Sequence, residues 1–142
     1  MAQRPIAALD IGIARIGVAI SNPERTVALA HGTIHLNVTP NPYEEIAQFL
    51  AQNHVKTVVY GWPLELDGTE GPAIRRTKRF IVELKRTCPD IRCIPQDERL
   101  TSSAAENALQ EMETRGSRKK DFVDAMAACL ILQTYLERAM RR

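Results

Sequence analysis

The order of local patterns predicts an α/β domain: a five-stranded mixed sheet, strand order 3-2-1-4-5 with strand 2 antiparallel, flanked by helices. Three observations lead there. Three short β-favouring runs open the 142-residue chain, two strand–helix units follow, and a long helical pattern closes it. A meander followed by βα units gives a sheet that is antiparallel on one side and parallel on the other, with helices covering it. No internal repeat or low-complexity linker marks a second unit, so residues 1–142 are expected to form one domain, with a core of about 6–137 and a short basic C-terminal tail.

Ile6 to Asp10 is a short buried strand. In Arg15 to Ser21, Ile16, Val18 and Ile20 alternate with the small Gly17 and Ala19, the period of a second strand. Only residues 11 to 14 connect the two, which pairs them as a hairpin. Val27 to Leu36 continues the meander. Asn41 then caps a helix, with Pro42 in the first turn and Glu44 three residues after the cap, and Ile46, Phe49 and Leu50 on the buried face. Thr57 to Tyr60 is a continuous run suited to a strand covered on both faces. The loop GWPLELDGTEG, residues 61 to 71, leads to a helix from Pro72 in which Ala73, Thr77, Phe80, Ile81 and Leu84 share one face. Ile91 to Ile94 is the fifth strand, followed by PQDERL. A helix is expected from about Thr101 to Glu113 and a last one from about Asp121 to Met140. The apolar stripe of that last helix is Phe122, Ala125, Met126, Cys129, Leu130, Gln133 and Leu136. Right-handed crossovers put strand 1 at the centre beside strand 4 and strand 5 outside it, the ribonuclease-H-like order.

Composition excludes several function classes. Hydrophobic residues at 44% and charged residues at 25% match an ordinary globular protein. No apolar run approaches the roughly 20 residues that span a bilayer, and Met1 to Pro5 lead straight into a strand pattern, so a cytoplasmic location without a membrane partner is expected. Cys88, Cys93 and Cys129 lack CxxC spacing and are expected to be free thiols. His31, His35 and His54 are dispersed and make no metal site. A GxxxxGK[ST] loop is absent, and the chain holds one copy of the DxG-bearing unit rather than the two of an actin-like or sugar-kinase ATPase.

The acids point to a positive chemistry. Open sheets carry their reactive groups at the carboxyl ends of parallel strands. Asp10 ends the first strand, and Asp97 and Glu98 follow the fifth. If the chain stays extended there, these neighbours point to opposite faces and only one of them meets Asp10. Asp124 lies in the first turn of the last helix, with Asp121 three residues earlier on the same side, and the small Ala127 and Ala128 let this flank approach the sheet closely. The helix macrodipole or a turn accounts for any one of these acids alone. Their convergence on one end of the sheet is the distinguishing feature, and such oxygen ligands suit Mg²⁺ or Mn²⁺ rather than zinc. Gly12 permits a turn with positive φ and a close approach of phosphate or metal to the backbone.

Cations supply the complement. The formal net charge is only +2, but Arg75, Arg76, Lys78, Arg79, Lys85 and Arg86 crowd one helix, and Arg115, Arg118, Lys119 and Lys120 crowd the approach to Asp124. Such runs neutralise nucleic acid phosphates, although a solvated face explains the first of them as well. In the 61–71 loop, Gly68 and Gly71 are permissive, and the helix start at Pro72 offers free N–H groups to an anion. An ordinary βα connection accounts for the same residues, and Trp62 either covers the core or stacks a base.

The stretches DIGIARIGVAIS (10–21), YGWPLELDGTEG (60–71), DER (97–99) and VDAMAACLIL (123–132), in that order, closely resemble the bacterial YqgF family, described as pre-16S rRNA nucleases or Holliday-junction-resolvase-like proteins. The likeness runs from about Ile6 to Leu136. It implies a ribonuclease-H-like fold and metal-dependent cleavage of nucleic acid, with catalytic and metal-holding roles at Asp10, Glu98 and Asp124 and two Mg²⁺ or Mn²⁺ ions between them. It thereby selects Glu98 over Asp97 and Asp124 over Asp121. Substrate contacts are expected at Gly12, Arg15, Gly68, Arg99, Arg118, Lys119 and Lys120. The partner expected is precursor rRNA at the 5′ end of 16S, or alternatively branched DNA; a non-catalytic RNA- or ribosome-binding module is the alternative of another class. Asn22, Ala14 and Trp62 stand where the family commonly has aspartate, lysine and leucine, which touches substrate contacts rather than the acids. Monomer and homodimer both remain open, since no interface stripe stands out.

Overall fold

The structure is a computed structural model, and it describes residues 3–65, 67–98 and 120–140. Five strands and three helices are described: β1 (Ile6–Ile11), β2 (Arg15–Ser21), β3 (Ala28–His35), α1 (Pro42–Gln52), β4 (Thr57–Trp62), α2 (Pro72–Thr87), β5 (Arg92–Asp97) and α3 (Lys120–Met140). The sheet order is β3-β2-β1-β4-β5, with β2 antiparallel to both β1 and β3 and with β4 parallel to β1 and β5. This is the predicted arrangement. The helix expected over 101–113 lies outside the described residues.

Strand alternation divides the core into two layers. Ala7, Leu9 and Ile11 of β1 join Ile16, Val18, Val58 and Tyr60 in a cluster closed by Ile46 and Leu50 of α1 and by Phe80, Ile81 and Leu84 of α2. Ile6 and Ala8 of β1 join Ala19 and Val59 in a second cluster, closed by Ala128, Ile131, Leu132 and Leu136 of α3. The sheet is thus sandwiched, which is why β1 and β4 read as continuous apolar runs. Full burial of side chains such as Leu9, Ile16, Ile46 and Leu50 contributes roughly 1.5–3 kcal/mol each.

Local chemistry sets the ends of the elements. Asn41 caps α1 by accepting the Glu44 N–H at 3.1 Å, with Pro42 in the first turn, as the motif predicts. Asn22 knots the β2–β3 turn. Its Oδ1 accepts from the Thr26 and Val27 amides at 2.8 and 3.0 Å, and its Nδ2 donates to Thr26 Oγ1 at 2.7 Å. An aspartate here would lack that last donor, so the departure at Asn22 has a turn-forming role.

Two helix faces differ from expectation. In α2 the buried residues are Ile74, Thr77, Phe80, Ile81 and Leu84, so Ile74 rather than Ala73 begins the face. The larger side chain takes the buried slot, and Ala73 sits beside it. In α3 the buried residues are Val123, Ala125, Ala128, Ile131, Leu132 and Leu136, while Phe122 is half-exposed. Gln133, placed in the apolar stripe by spacing, instead accepts the Ala28 N–H at 3.1 Å, and Cys129 Sγ donates to Ala28 O at 3.3 Å. These bonds tie α3 to the start of β3. All three cysteines are free and partly buried, as expected, and burial pushes the Cys93 thiol up to about 11.

Candidate active site

Strand parity decides which acids meet. Ile6 and Ala8 pack in the α3 layer, so Asp10, two residues on, faces α3 as well. In β5, Cys93 packs against the α1/α2 layer and Ile94 against the α3 layer. Continued alternation sends Asp97 to the α1/α2 side and Glu98 to the side of Asp10. The fifth strand runs on to Asp97 instead of stopping near Ile94, and that extension makes the parity hold.

Two glycines make room for the other acids. Asp10 is paired with Gly17 across β1 and β2. A Cβ on Gly17 would overlap the carbonyl oxygen of Asp124, so α3 rests its backbone directly on the strand there. On the other flank Leu9 pairs with Tyr60, and continuing that register brings Gly61 level with Asp10. A Cβ on Gly61 would overlap the Glu98 carboxylate and lie 2.9 Å from Ile131 Cδ1. The row Gly17, Asp10, Gly61 is therefore a floor with Asp124 over one end and Glu98 over the other. Neither glycine was singled out by the sequence as part of the site. The only signal was a glycine inside a strand pattern, which marks close approach.

The electrostatics follow from this crowding. Burial is the main cause that raises the Asp10 carboxyl above the ordinary range; a hydrogen bond with Glu98 pulls it down and the Asp124 charge pushes it up. Glu98 is raised to about 7, first by burial, then by the Asp10 charge, by its hydrogen bond with Asp10 and by Asp97. Both carboxyls are thus harder to ionise than an ordinary acid, and their hydrogen bond favours the proton on Glu98. Asp124 is held differently: its Oδ2 accepts from Arg15 Nε at 2.5 Å in a partly buried ion pair.

The structure therefore brings Asp10 and Glu98 into contact and sets Asp124 close enough to act on Asp10 electrostatically, with Arg15 on its outer side. Among the described residues, no three His, Cys, Asp or Glu side chains gather as a ready-made metal cage. The donor chemistry of the Asp10–Glu98 pair nonetheless fits a divalent cation. Two hard oxygen donors within hydrogen-bond reach, forced to hold a proton by burial, have their charge balanced when a cation replaces that proton.

The remaining expected contacts separate clearly. Gly12 sits in the β1–β2 turn beside Asp10, and its N–H donates to Arg15 O at 2.9 Å. Its φ is not positive, which corrects the expected reason for a glycine. A Cβ there would come within 2.8 Å of Arg15 O, so closeness of the two chains excludes other residues. Gly68 does adopt a positive φ of 87°, in a turn where Asp67 Oδ1 accepts from the Thr69 amide and hydroxyl. At the start of α2 a Cβ on Gly71 would overlap the Glu65 carboxylate, so an anion of the chain itself lies against that helix start without capping it by a hydrogen bond. Trp62 is half-buried, edge-on to Tyr60 and 5.8 Å beneath Lys78 Nζ. Arg99, Arg118 and Lys119 lie outside the described residues; Lys120 opens α3, with its side chain likewise outside the description.

Comparison with known proteins agrees with this architecture. The model of a family described as "RuvX: Holliday junction resolvase" matches residues 4–138. A protein of Sulfurihydrogenibium sp. named "Putative pre-16S rRNA nuclease" is 42% identical over 134 residues, covering 94% of this chain and 90% of its own. One of the same name from Acetivibrio thermocellus is 40% identical over 133 residues, with 93% and 94% covered. Among solved structures, T. thermophilus RuvC in complex with a Holliday junction substrate superposes with a TM-score of 0.61 at 15% identity, covering 96% of this chain and 97% of that one. The Fowlpox virus resolvase bound to Holliday junction DNA gives 0.57 at 14% identity, with 96% and 99% covered. These two share the fold. Taken with the identity of its relatives along nearly the whole length, the family match shows that this chain belongs to the RuvX family, the same group of proteins as YqgF.

Proposed function

We propose that the protein is a divalent-metal-dependent nuclease that hydrolyses phosphodiester bonds, with the 5′ end of precursor 16S rRNA as its substrate. The observation that carries this reading is the contact between two partly buried carboxyls, Asp10 and Glu98, at the carboxyl end of the sheet, with Asp124 beside them. The names of the relatives support the substrate. A second reading, cleavage of branched DNA, is favoured by the family's description and uses the same residues.

In this reading Asp10, Glu98 and Asp124 hold Mg²⁺ or Mn²⁺, two ions in all. Bound there, the metal activates water and neutralises the charge that grows on the phosphoryl oxygens in the transition state. The protein's own part is to supply anionic ligands partly shielded from water. Asp10 and Glu98 would hold the metal with Asp124, Glu98 in its ionised form, while the glycine floor keeps the acids close. Arg15 uses only part of its donor set on Asp124, and its remaining N–H groups suit a substrate phosphate.

The test is cleavage of 5′-extended 16S precursor RNA and of four-way DNA junctions, with Mn²⁺, with Mg²⁺ and with chelator. The wild-type protein is expected to cut the RNA only with metal, and Asp10→Asn to cut neither substrate while its thermal unfolding stays close to wild type. Metal-dependent turnover retained by Asp10→Asn would falsify the assignment. Salt-sensitive binding without any cleavage would make the protein an RNA-binding module instead.

A further inference from the structure

A second concavity adjoins the acids from the opposite face of the sheet. It is a cleft of about 560 Å³, floored by Ile11, Leu36, Tyr43 and Phe80 and bordered by the turn residues Gly12 and Ile13, a volume within the range of small-ligand pockets. Because β1 alternates, Asp10 faces α3 while Ile11 faces this cleft, so one stretch of main chain borders both. Ile13, at the tip of the turn, is 79% exposed, an unusual place for a large apolar side chain.

The rim is cationic and only partly neutralised. Lys78 is bonded to Glu70 at 3.0 Å, and the lining acid Glu83 is paired with Arg86 at 2.7 Å. Among the described residues, no carboxylate pairs with Arg76 or Arg79. Arg76 Nε is moreover buried without any hydrogen-bond partner, and a desolvated guanidinium N–H left unmatched is unfavourable until an acceptor arrives. An aromatic pair on the floor, Tyr43 and Phe80 with centroids 4.8 Å apart, lines the same cleft as those cations.

We infer that this cleft seats one unpaired nucleoside of the nucleic acid strand next to the bond to be cut, with its base on the Tyr43–Phe80–Ile11 floor and its flanking phosphates on Arg76 and Arg79. An apolar floor with aromatic rings, lined also by guanidinium groups that pair with no carboxylate, matches how single strands are held, by stacking and by phosphate contact. The volume is ample for one base with its sugar, and only an unpaired base can lay its face on such a floor. The inference rests on the nuclease reading and sharpens it: the substrate class is a strand that is unpaired beside the scissile bond.

The test is photo-crosslinking in chelator, so that no cutting interferes, with RNA carrying a single 4-thiouridine in an overhang or inside a duplex. Adducts from the overhang are expected on the segments containing Tyr43 and Phe80, at least about tenfold above those from the duplex. The variant R76Q/R79Q, with folding checked by circular dichroism, is expected to bind the overhang RNA about tenfold more weakly with a shallower salt dependence. Ile13→Glu, which places an anion at the cleft mouth, is expected to weaken it in the same direction. Overhang adducts that map only elsewhere, or unchanged binding in both variants, would overturn the inference, even where Asp10-dependent cleavage is intact. Adducts in the cleft without any such cleavage would uphold the seat and end the nuclease reading.

Discussion

The two faces of the sheet are built from different sizes of residue, and the chemistry follows that difference. Towards α1 and α2 the strands present Leu9, Ile11, Ile16, Val18 and Tyr60. Towards α3 they present Ile6, Val59 and Ile94 as well, but around the acids only Ala8, Gly17, Ala19 and Gly61. Large side chains hold α1 and α2 at a distance, and the space left at the sheet's end becomes a cleft. Small ones let α3 settle until its backbone touches β2, and that closeness encloses Asp10 and Glu98 enough to make both harder to ionise. Side-chain volume in the strands thus sets the cleft on one face and the gathered acids on the other.

The largest effect should separate the two faces directly. Glu98→Gln is expected to reduce cleavage by about 1,000-fold, since charge stabilisation of several kcal/mol is removed from the transition state. Asp97→Asn, on the other face, should stay within about threefold of wild type. Equal losses in steady-state assays would erase the distinction. Next in size is the floor itself. Gly17→Val must push α3 away and is expected to cost about 2–3 kcal/mol in denaturant unfolding. Gly32→Ala, whose new Cβ meets nothing within 4 Å, should stay within about 0.5 kcal/mol.

A pH series sharpens the comparison further. The folded protein holds the Glu98 proton more tightly than the unfolded chain does, so stability is full below the ordinary carboxylate value of 4.5 and falls as pH rises towards about 7. In chelator the loss is on the order of 1–3 kcal/mol, and Asp10 adds to it in the same direction. Glu98→Gln should flatten this profile; a wild-type curve already flat between those values would show that the two carboxyls do not crowd one another. The smallest effect tests the face of α3. Phe122→Ser, at a half-exposed site, should change the unfolding free energy by less than about 0.5 kcal/mol.

Much of this was legible in advance, and the failures share a cause. Strand order, the Asn41 cap and the end of the sheet that carries the acids follow from periodicity, handedness and capping chemistry, all of which are local or topological. The α3 face was misplaced by about one position because apolar residues surround most of that helix, and only the shape of β2 selects among them. It takes Ala128 and Ile131, and gives Gln133 to a backbone amide. The Asp97–Glu98 choice needed the length of β5, which spacing underestimated because Pro95 and Gln96 do not look like strand residues. Gly17 and Gly61 were invisible as site residues, since what they accommodate comes from a partner distant in sequence.

The touch of α3 on Gly17 also behaves as a fulcrum. A rod pressed against a bed at one point swings about that point, and its displacement grows with distance from it. Asp124 sits at the bearing, whereas Leu136 lies more than three turns away. Repacking around Leu136 would therefore be felt mainly at the far end, where Gln133 and Cys129 anchor the helix to Ala28, and least at the carboxylate beside the bearing.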